Sequence, residues 1–326
     1  MTAEREFDLL VLGELNPDIV IVDPTATPAF GQIETIVDAI RMEIGSSSAI
    51  TACGATRLGL RVAFVGMVGE DPFGRFMLES LEALGIDTSG CRIDPTAPTG
   101  ATVIVSRGDD RANMTALGAM AQLRTGDVPR ELLAAARHIH VGSTYLQPGL
   151  TAELPELFDE ARDLGLTSSF DCNWDSSGRW DGGIDRLLRS TDLFLPNLEE
   201  ARRITGRTAE PAAAAELLRR AGEGRAPGRP FTLAVKRGAD GGLAMRGAWE
   251  YEVAEVAAMP VEIVDTTGAG DSFDAGFLYG MLSGWPLRET VELATACGTL
   301  SCRGIGGTVA QPTLAEARAA LATAGR

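Results

Sequence analysis

Val264-Asp265-Thr266-Thr267-Gly268-Ala269-Gly270-Asp271-Ser272-Phe273-Asp274-Ala275-Gly276-Phe277 reads as an approach strand, a tight loop and the start of a helix, which apolar spacing continues through Leu278, Met281 and Leu282. Small residues at Gly268, Ala269 and Gly270 let the backbone come close to a ligand. The first N–H groups of such a helix lack an intrahelical acceptor and carry positive partial charge, so the terminus is an anion site. Asp271 falls in the first turn, where its carboxylate could take a proton from a hydroxyl aimed at a bound phosphate. Taken alone, the four residues Gly268–Asp271 also read as a turn whose aspartate complements the helix dipole.

Working outward, short apolar runs at 7–15, 62–68, 166–171, 193–196 and 231–236 alternate with helical spacing at 47–58, 72–84, 150–164, 198–205, 209–221, 269–283, 286–303 and 314–323. That alternation predicts an α/β fold, a mostly parallel sheet flanked by helices. Two stretches break the rhythm: 18–22 continuing toward 36, and 99–106 with 112–115 across the turn-rich Arg107-Gly108-Asp109-Asp110-Arg111. The second reads as a hairpin, and the pattern fits a small β lid as well as an ordinary edge hairpin. His138 and His140 lie on a strand-like run where only one is expected to face the core; neither is given a chemical role.

The 326 residues carry 45 acidic against 29 basic side chains, a net charge of −16, which repels nucleic acid and anionic lipid. An anionic ligand must therefore be held by local features. Five scattered cysteines without a CxxC pair and only two histidines argue against a zinc site. With no basic-then-apolar leader and no apolar run near the ~18 residues of a membrane span, a cytoplasmic location is expected.

Asp265-Thr266-Thr267-Gly268-Ala269-Gly270-Asp271-Ser272-Phe273 resembles the C-terminal signature of the ribokinase-like (PfkB) carbohydrate kinases. In chain order, Gly13-Glu14-Leu15-Asn16-Pro17-Asp18, Gly66-Met67-Val68-Gly69-Glu70-Asp71-Pro72-Phe73-Gly74, Pro196-Asn197-Leu198-Glu199-Glu200 and Val235-Lys236-Arg237-Gly238-Ala239-Asp240-Gly241 resemble its other recurrent elements. The resemblance implies one domain over 1–326, a three-layer α/β/α sandwich with lid segments at about 16–40 and 97–118. It implies transfer of the γ-phosphate of ATP to an alcohol group of a small sugar or sugar acid, with Asp271 as base and 268–270 as the anion hole. Asn16 and Asp18, with Gly45, Ser46 and Ser47, would then bind the acceptor. Asn197, Glu200, Lys236, Gly238 and Gly241 would serve the nucleotide, Glu200 orienting Mg²⁺ through water. Asp265 and Thr267 match positions near which many relatives hold a monovalent cation such as K⁺, and a homodimer through the lid is open.

The residues themselves allow plainer readings. Asn-Pro-Asp builds turns, N-x-x-E at a helix start is a common cap, a lysine ending a strand is usually solvated, and a serine run opens many helices. Two departures from the family pattern stand out. The loop 303–312 is longer than the common version. Relatives carry a Gly-Gly pair where this chain has Gly45-Ser46, and Ile50 falls where a ribokinase places a sugar-contacting Asn, so ribose is expected to be a poor acceptor. A nucleoside kinase is the nearest alternative. A dehydrogenase lacks its G-x-G-x-x-G after the first strand, and a non-catalytic sugar-binding homologue would have little reason to retain Asp271.

Overall fold

The computed structural model describes residues 5–23, 25–107 and 110–325. The chain enters through β1 (Leu9–Leu12), leaves the body in β2 (Pro17–Val22) and β3 (Ala39–Ile44), and returns through α1 (Ser47–Leu58) to β4 (Val62–Val65). β5 (Met67–Gly69), α2 (Pro72–Ala83) and β6 (Arg92–Asp94) lead to a second excursion, β7 (Ala101–Arg107) and β8 (Asp110–Ala116). The turn joining these two strands, residues 108–109, lies outside the described residues. The rest alternates strand and helix: α3 (Arg130–Ala135), β9 (His138–Val141), α4 (Pro148–Asp163), β10 (Thr167–Phe170), α5 (Ile184–Ser190), β11 (Leu193–Phe194), α6 (Leu198–Thr205), α7 (Glu210–Gly222) and β12 (Phe231–Lys236). β13 (Gly242–Gly247) and β14 (Tyr251–Val256) form a terminal meander before α8 (Ala269–Leu282), α9 (Leu287–Ser301) and α10 (Leu314–Thr323).

Eight strands form one sheet in the order β14-β13-β12-β11-β10-β9-β1-β4, parallel except for the antiparallel pairs β12–β13 and β13–β14. Successive side chains of β1 point to opposite faces, and the core divides accordingly. Leu10 and Leu12 pack with Leu154, Phe158, Leu187 and Leu217 on one side. Leu9 and Val11 pack with Ala52, Met77, Phe277 and Val291 on the other. Helices therefore cover both faces of the sheet, the three-layer α/β/α arrangement.

The histidine expectation fails on strand geometry. His138 and His140 are two residues apart on a strand and so share one face, and both are fully buried because β9 is central and covered on both sides. Both meet the Ser169 hydroxyl, at 2.6 Å and 2.8 Å. Burial holds both imidazoles neutral, His140 down to about 3.

β1 has β4 on one side and β9 on the other, so the strand order reverses there and a crevice opens beyond the carboxyl ends of the strands. The segments after β1, β9, β10 and β12 converge on it. A second sheet, β3-β2-β7-β8, stands over this end. It is anchored by Asp71, whose Oδ1 caps α2 at the Gly74 N–H (2.9 Å) and whose Oδ2 accepts the Thr99 N–H (2.7 Å).

The opposite, amino-terminal end of the sheet is stapled by Asp8. Its carboxylate accepts the Arg61 N–H and side chain at 3.0–3.1 Å and the Arg137 guanidinium at 3.1 Å, joining the entries of β1, β4 and β9. Burial opposes its charge, but the bonds from Arg61 and Arg137 win and hold it down at about 2. The folded pKa lies below the unfolded one, so the contribution is present above about pH 4 and is lost as pH falls toward 2. Asp8→Asn should cost at most on the order of 2 kcal/mol near neutral pH, since both arginines are half exposed. Urea melts of both proteins should approach one another as pH is lowered from about 4 toward 2; a gap independent of pH would contradict the assignment.

Candidate functional site

The loop that opened the sequence reading becomes the partition between two cavities. Gly268 caps α8 with φ +72°, a conformation that side chains disfavour. A Cβ there would lie 2.6 Å from Gly307 Cα and 3.0 Å from Ile50 Cγ2, so glycine is required for contact as well as for φ. Ala269 N–H turns back to Thr266 O, and the first helical bond runs from Ser272 N–H to Gly268 O (2.9 Å). The N–H groups of Gly270 and Asp271 are then the first-turn donors that a helix leaves to a ligand. Gly270 is different from Gly268: its φ is not positive, and an added Cβ would meet only the Lys236 side chain, at 3.5 Å or more.

On one side of the loop lies an open slot of about 550 Å³, lined by Lys236, Gly238, Gly241, Met259, Ile263, Ala269, Gly270, Phe273 and Thr295 among others. Most of this lining is apolar, the character of a wall for a flat heterocycle. Gly241 is fixed by packing, since a Cβ would stand 2.0 Å from Val256 O.

On the other side lies a polar pocket of about 150 Å³, lined by Glu14, Asn16, Asp18, Ser46, Ser47, Ile50, Thr102, Arg111, Asn113, Thr115, Asn173, Thr267, Gly268 and Asp271 among others. β1 delivers Glu14 and Asn16, β2 delivers Asp18, and the start of α1 delivers Ser46 and Ser47. Gly45 admits Asp18, whose Oδ1 would sit 2.2 Å from a Cβ at that position. Ser46 stands where the second glycine is expected and takes φ 70°; its hydroxyl caps α1 at the Ala49 N–H (3.0 Å) and donates to Glu14 O. Ile50 is buried against Gly268 and Gly307, its aliphatic chain filling the back of the pocket.

Three pocket carboxyls are pushed up. Burial raises Glu14, which accepts the Ser48 hydroxyl at 2.6 Å. Burial, then the charge of Asp271, raises Asp18 to about 7, with Arg111 opposing. Burial raises Asp271 to about 6 against the pull of Lys236 and a hydrogen bond from Ser47, a value suited to a proton acceptor near neutrality.

Behind the loop, Lys236 Nζ lies 2.9 Å from Asp171 Oδ2 and 3.0 Å from Asp274 Oδ2, with side-chain exposures of 10%, 7% and 0%. One oxygen each of Asp171, Asp271 and Asp274 lies within 4.8 Å of the others. Asn197 and Glu200 form a reciprocal cap on α6: Asn197 Oδ1 accepts the Glu200 N–H (2.9 Å) and Glu200 Oε2 accepts the Asn197 N–H (2.8 Å). The plain capping reading is thus realised, yet Glu200 is buried beside Asp171 and Cys172, and burial followed by the Asp171 charge raises it to about 7. Neither Asn197 nor Glu200 lines the two cavities. Asp265 ties the loop, accepting the Thr267 N–H and hydroxyl (2.9 and 2.8 Å) and the Gly306 N–H (2.9 Å), with Arg111 3.9 Å away.

The profile of the pfkB family carbohydrate kinases matches residues 7–314. The chain belongs to that family. This carbohydrate kinase is 31% identical to the 2-dehydro-3-deoxygluconokinase of Bacillus subtilis, over 80% of this chain and 81% of that one. It is 32% identical to a fructokinase of Klebsiella pneumoniae, over 82% and 88% respectively. Its fold is that of an Escherichia coli structure assigned to ribokinase II and holding ATP and Mg²⁺, with a TM-score of 0.83, 23% identity, and 97% and 99% of the two chains covered.

Sequence reasoning missed Glu14, Asp171 with Asp274 as holders of Lys236, and the small-sheet residues Thr102, Arg111, Asn113 and Thr115, which reach the kinase's polar pocket only through strand register. Lys236 itself carried a signal in plain view, because it is the only lysine in a chain with 28 arginines. The two loop glycines are expected to separate in experiment. Gly268→Ala should lower the melting temperature and turnover together, whereas Gly270→Ala should keep the melting temperature and lose turnover. Equal behaviour of the two variants in melts and assay would contradict the geometry.

Proposed function

We propose that this carbohydrate kinase moves the γ-phosphate of ATP to an alcohol group of a small sugar or sugar acid seated in the polar pocket. One observation carries the reading: the 266–271 loop is the shared wall of an apolar slot and a polar pocket, with Asp271 on the pocket side and Gly270 on the slot side. Adenosine in the slot directs its phosphates to the anion hole at 268–270, which the Gly270 N–H and the adjoining Asp271 N–H furnish with donors. Asn16, Asp18, Ser46 and Ser47 hold the acceptor so that one hydroxyl faces Asp271. Asp271 takes its proton as the oxygen bonds to phosphorus, and the bond to the β-phosphate oxygen breaks, leaving its electron pair on ADP.

The polar lining and small volume of the pocket favour a sugar over a nucleoside, and Arg111 offers a cation to a sugar-acid carboxylate. Mg²⁺ fits beside Glu200 and Asp171: both are hard oxygen donors, and Asp171 Oδ1 is buried without a hydrogen-bond partner in the structure. Mg²⁺ there would neutralise phosphate charge. Asp265 and Thr267 are the residues that a monovalent cation would use, but the loop is already closed by hydrogen bonds, so K⁺ would modulate the site rather than build it.

The small sheet acts as the lid of the pocket. From its rows Glu43–Asp18–Thr102–Thr115 and Arg41–Val20–Ile104–Asn113, the residues Asp18, Thr102, Thr115, Ile104 and Asn113 line the pocket toward the acceptor. The alternate rows, Met42–Ile19–Val103–Met114 and Ile40–Ile21–Val105–Ala112, lie on the other face; Val105 is buried there, while Ile40, Met42 and Met114 are exposed by 64%, 41% and 55%. That apolar outer face suits a second copy of the chain, hence a homodimer through the lid.

A coupled ADP-release screen over pentoses, hexoses, sugar acids and nucleosides tests the reading. A hexose or sugar acid should lead, with ribose poor because Ile50 offers no hydrogen bond, and Asp18→Ala should raise KM for the best acceptor. Asp271→Asn should lower kcat by roughly 10² to 10⁴. Because the ionised Asp271 is the active form, kcat/KM should fall as pH drops through about 6. A best acceptor that Asp271→Asn phosphorylates at the normal rate would overturn the proposal.

A further inference from the structure

The small sheet reaches the anion loop from both of its edge strands, β3 and β8. From β3, Glu43 lies against Gly306, where an added Cβ would stand 3.1 Å from the Glu43 Cγ. From β8, Arg111 Nη1 donates to Thr267 Oγ1 at 2.8 Å and lies 3.9 Å from Asp265 Oδ1. Both contacts end on one knot of chain. Asp265 accepts the Thr267 and Gly306 N–H groups, and Gly268, next after Thr267, closes against Gly307. The Arg111 contact is the stronger of the two, because a hydrogen bond from a charged donor is worth roughly twice a neutral one. Arg111 also lines the polar pocket with Asp18, Thr102, Asn113 and Thr115, whereas among the described residues none of the small sheet lines the apolar slot. A lid side chain is thus bonded to the residue just before the cap of the helix that offers its N–H groups to phosphate.

We infer that Arg111 is a positioning residue that couples the lid to the anion loop, so that a nucleotide in the slot orders the lid over the acceptor pocket. This rests on the kinase reading and adds to it a link between the two sites. The link is reciprocal: a lid ordered over an acceptor orders the loop for phosphate by the same factor. Arg111 forms no covalent bond and moves no proton in this role. The rival account makes Arg111 a surface cation, its side chain 37% exposed, whose ion pair with Asp265 matters to neither site.

Hydrogen exchange of the whole protein, read by mass spectrometry, separates the two. A non-hydrolysable ATP analogue with Mg²⁺ should slow exchange in β7 and β8, although the slot that receives it is built without them. Arg111→Met should abolish that slowing while the slowing at the start of α8 persists, and should lower kcat by roughly 10- to 100-fold. Arg111→Lys should restore part of both. Thr267→Val breaks the same bond from the other side, so the double variant with Arg111→Met should lose no more kcat than Thr267→Val alone. Lid protection that survives Arg111→Met would overturn the inference, as would losses that multiply in the double variant. So would a lid that the bound analogue leaves unprotected in an enzyme that phosphorylates its acceptor. A wild-type protein that neither binds the analogue by calorimetry nor phosphorylates any acceptor would instead count against the kinase reading itself.

Discussion

Everything at the active end of this molecule depends on the contact of Gly268 with Gly307 and Ile50. The approach leaves no room for a Cβ and fixes a left-handed residue immediately before α8, which aims the first turn of that helix into the crevice at the strand-order reversal. The contact places Gly270 toward the apolar slot and Asp271 toward the polar pocket, so the two cavities adjoin across this one loop. Gln311 clamps the arrangement by donating to Ile50 O (2.9 Å) and Ser272 Oγ (3.0 Å), which fastens α1 to α8.

A chain of net charge −16 that must hold a polyphosphate faces a field problem, and the structure meets it locally. Backbone dipoles at α8 require no side chain, and one buried ammonium is placed among acids rather than on the surface. The acids serve two ends. They keep Lys236 charged against burial, since Asp171, Asp274 and Glu200 outweigh the desolvation that alone would lower it. Asp171 also leaves one oxygen unsatisfied beside Glu200, an arrangement that a divalent ion suits.

The layer architecture was legible because it is written in local signals: buried parallel strands as apolar runs, helices as 3.6-residue spacing, and loop 268–271 as a run of small residues. α1, α6 and α10 begin and end where spacing puts them. What local pattern could not carry is register across distant segments. Thr102, Asn113 and Thr115 join Asp18 because the β7–β8 hairpin pairs through β7 with β2, a register between residues some 80 positions apart. Asp274 is invisible for a similar reason, since an aspartate inside an apolar helix signals nothing until Lys236 is placed against it. The paired histidines show a plain error of periodicity, where a two-residue step keeps a side chain on the same face of a strand.

The most direct measurement is a crystal structure of the protein with Mg²⁺, a non-hydrolysable ATP analogue and the best acceptor. The account predicts the adenine in the slot beside Met259 and Ile263, the γ-phosphate in hydrogen-bond contact with the Gly270 or Asp271 N–H, and an acceptor hydroxyl against Asp271. A γ-phosphate bound away from the α8 terminus, or an acceptor outside the pocket of Asn16 and Asp18, would contradict it.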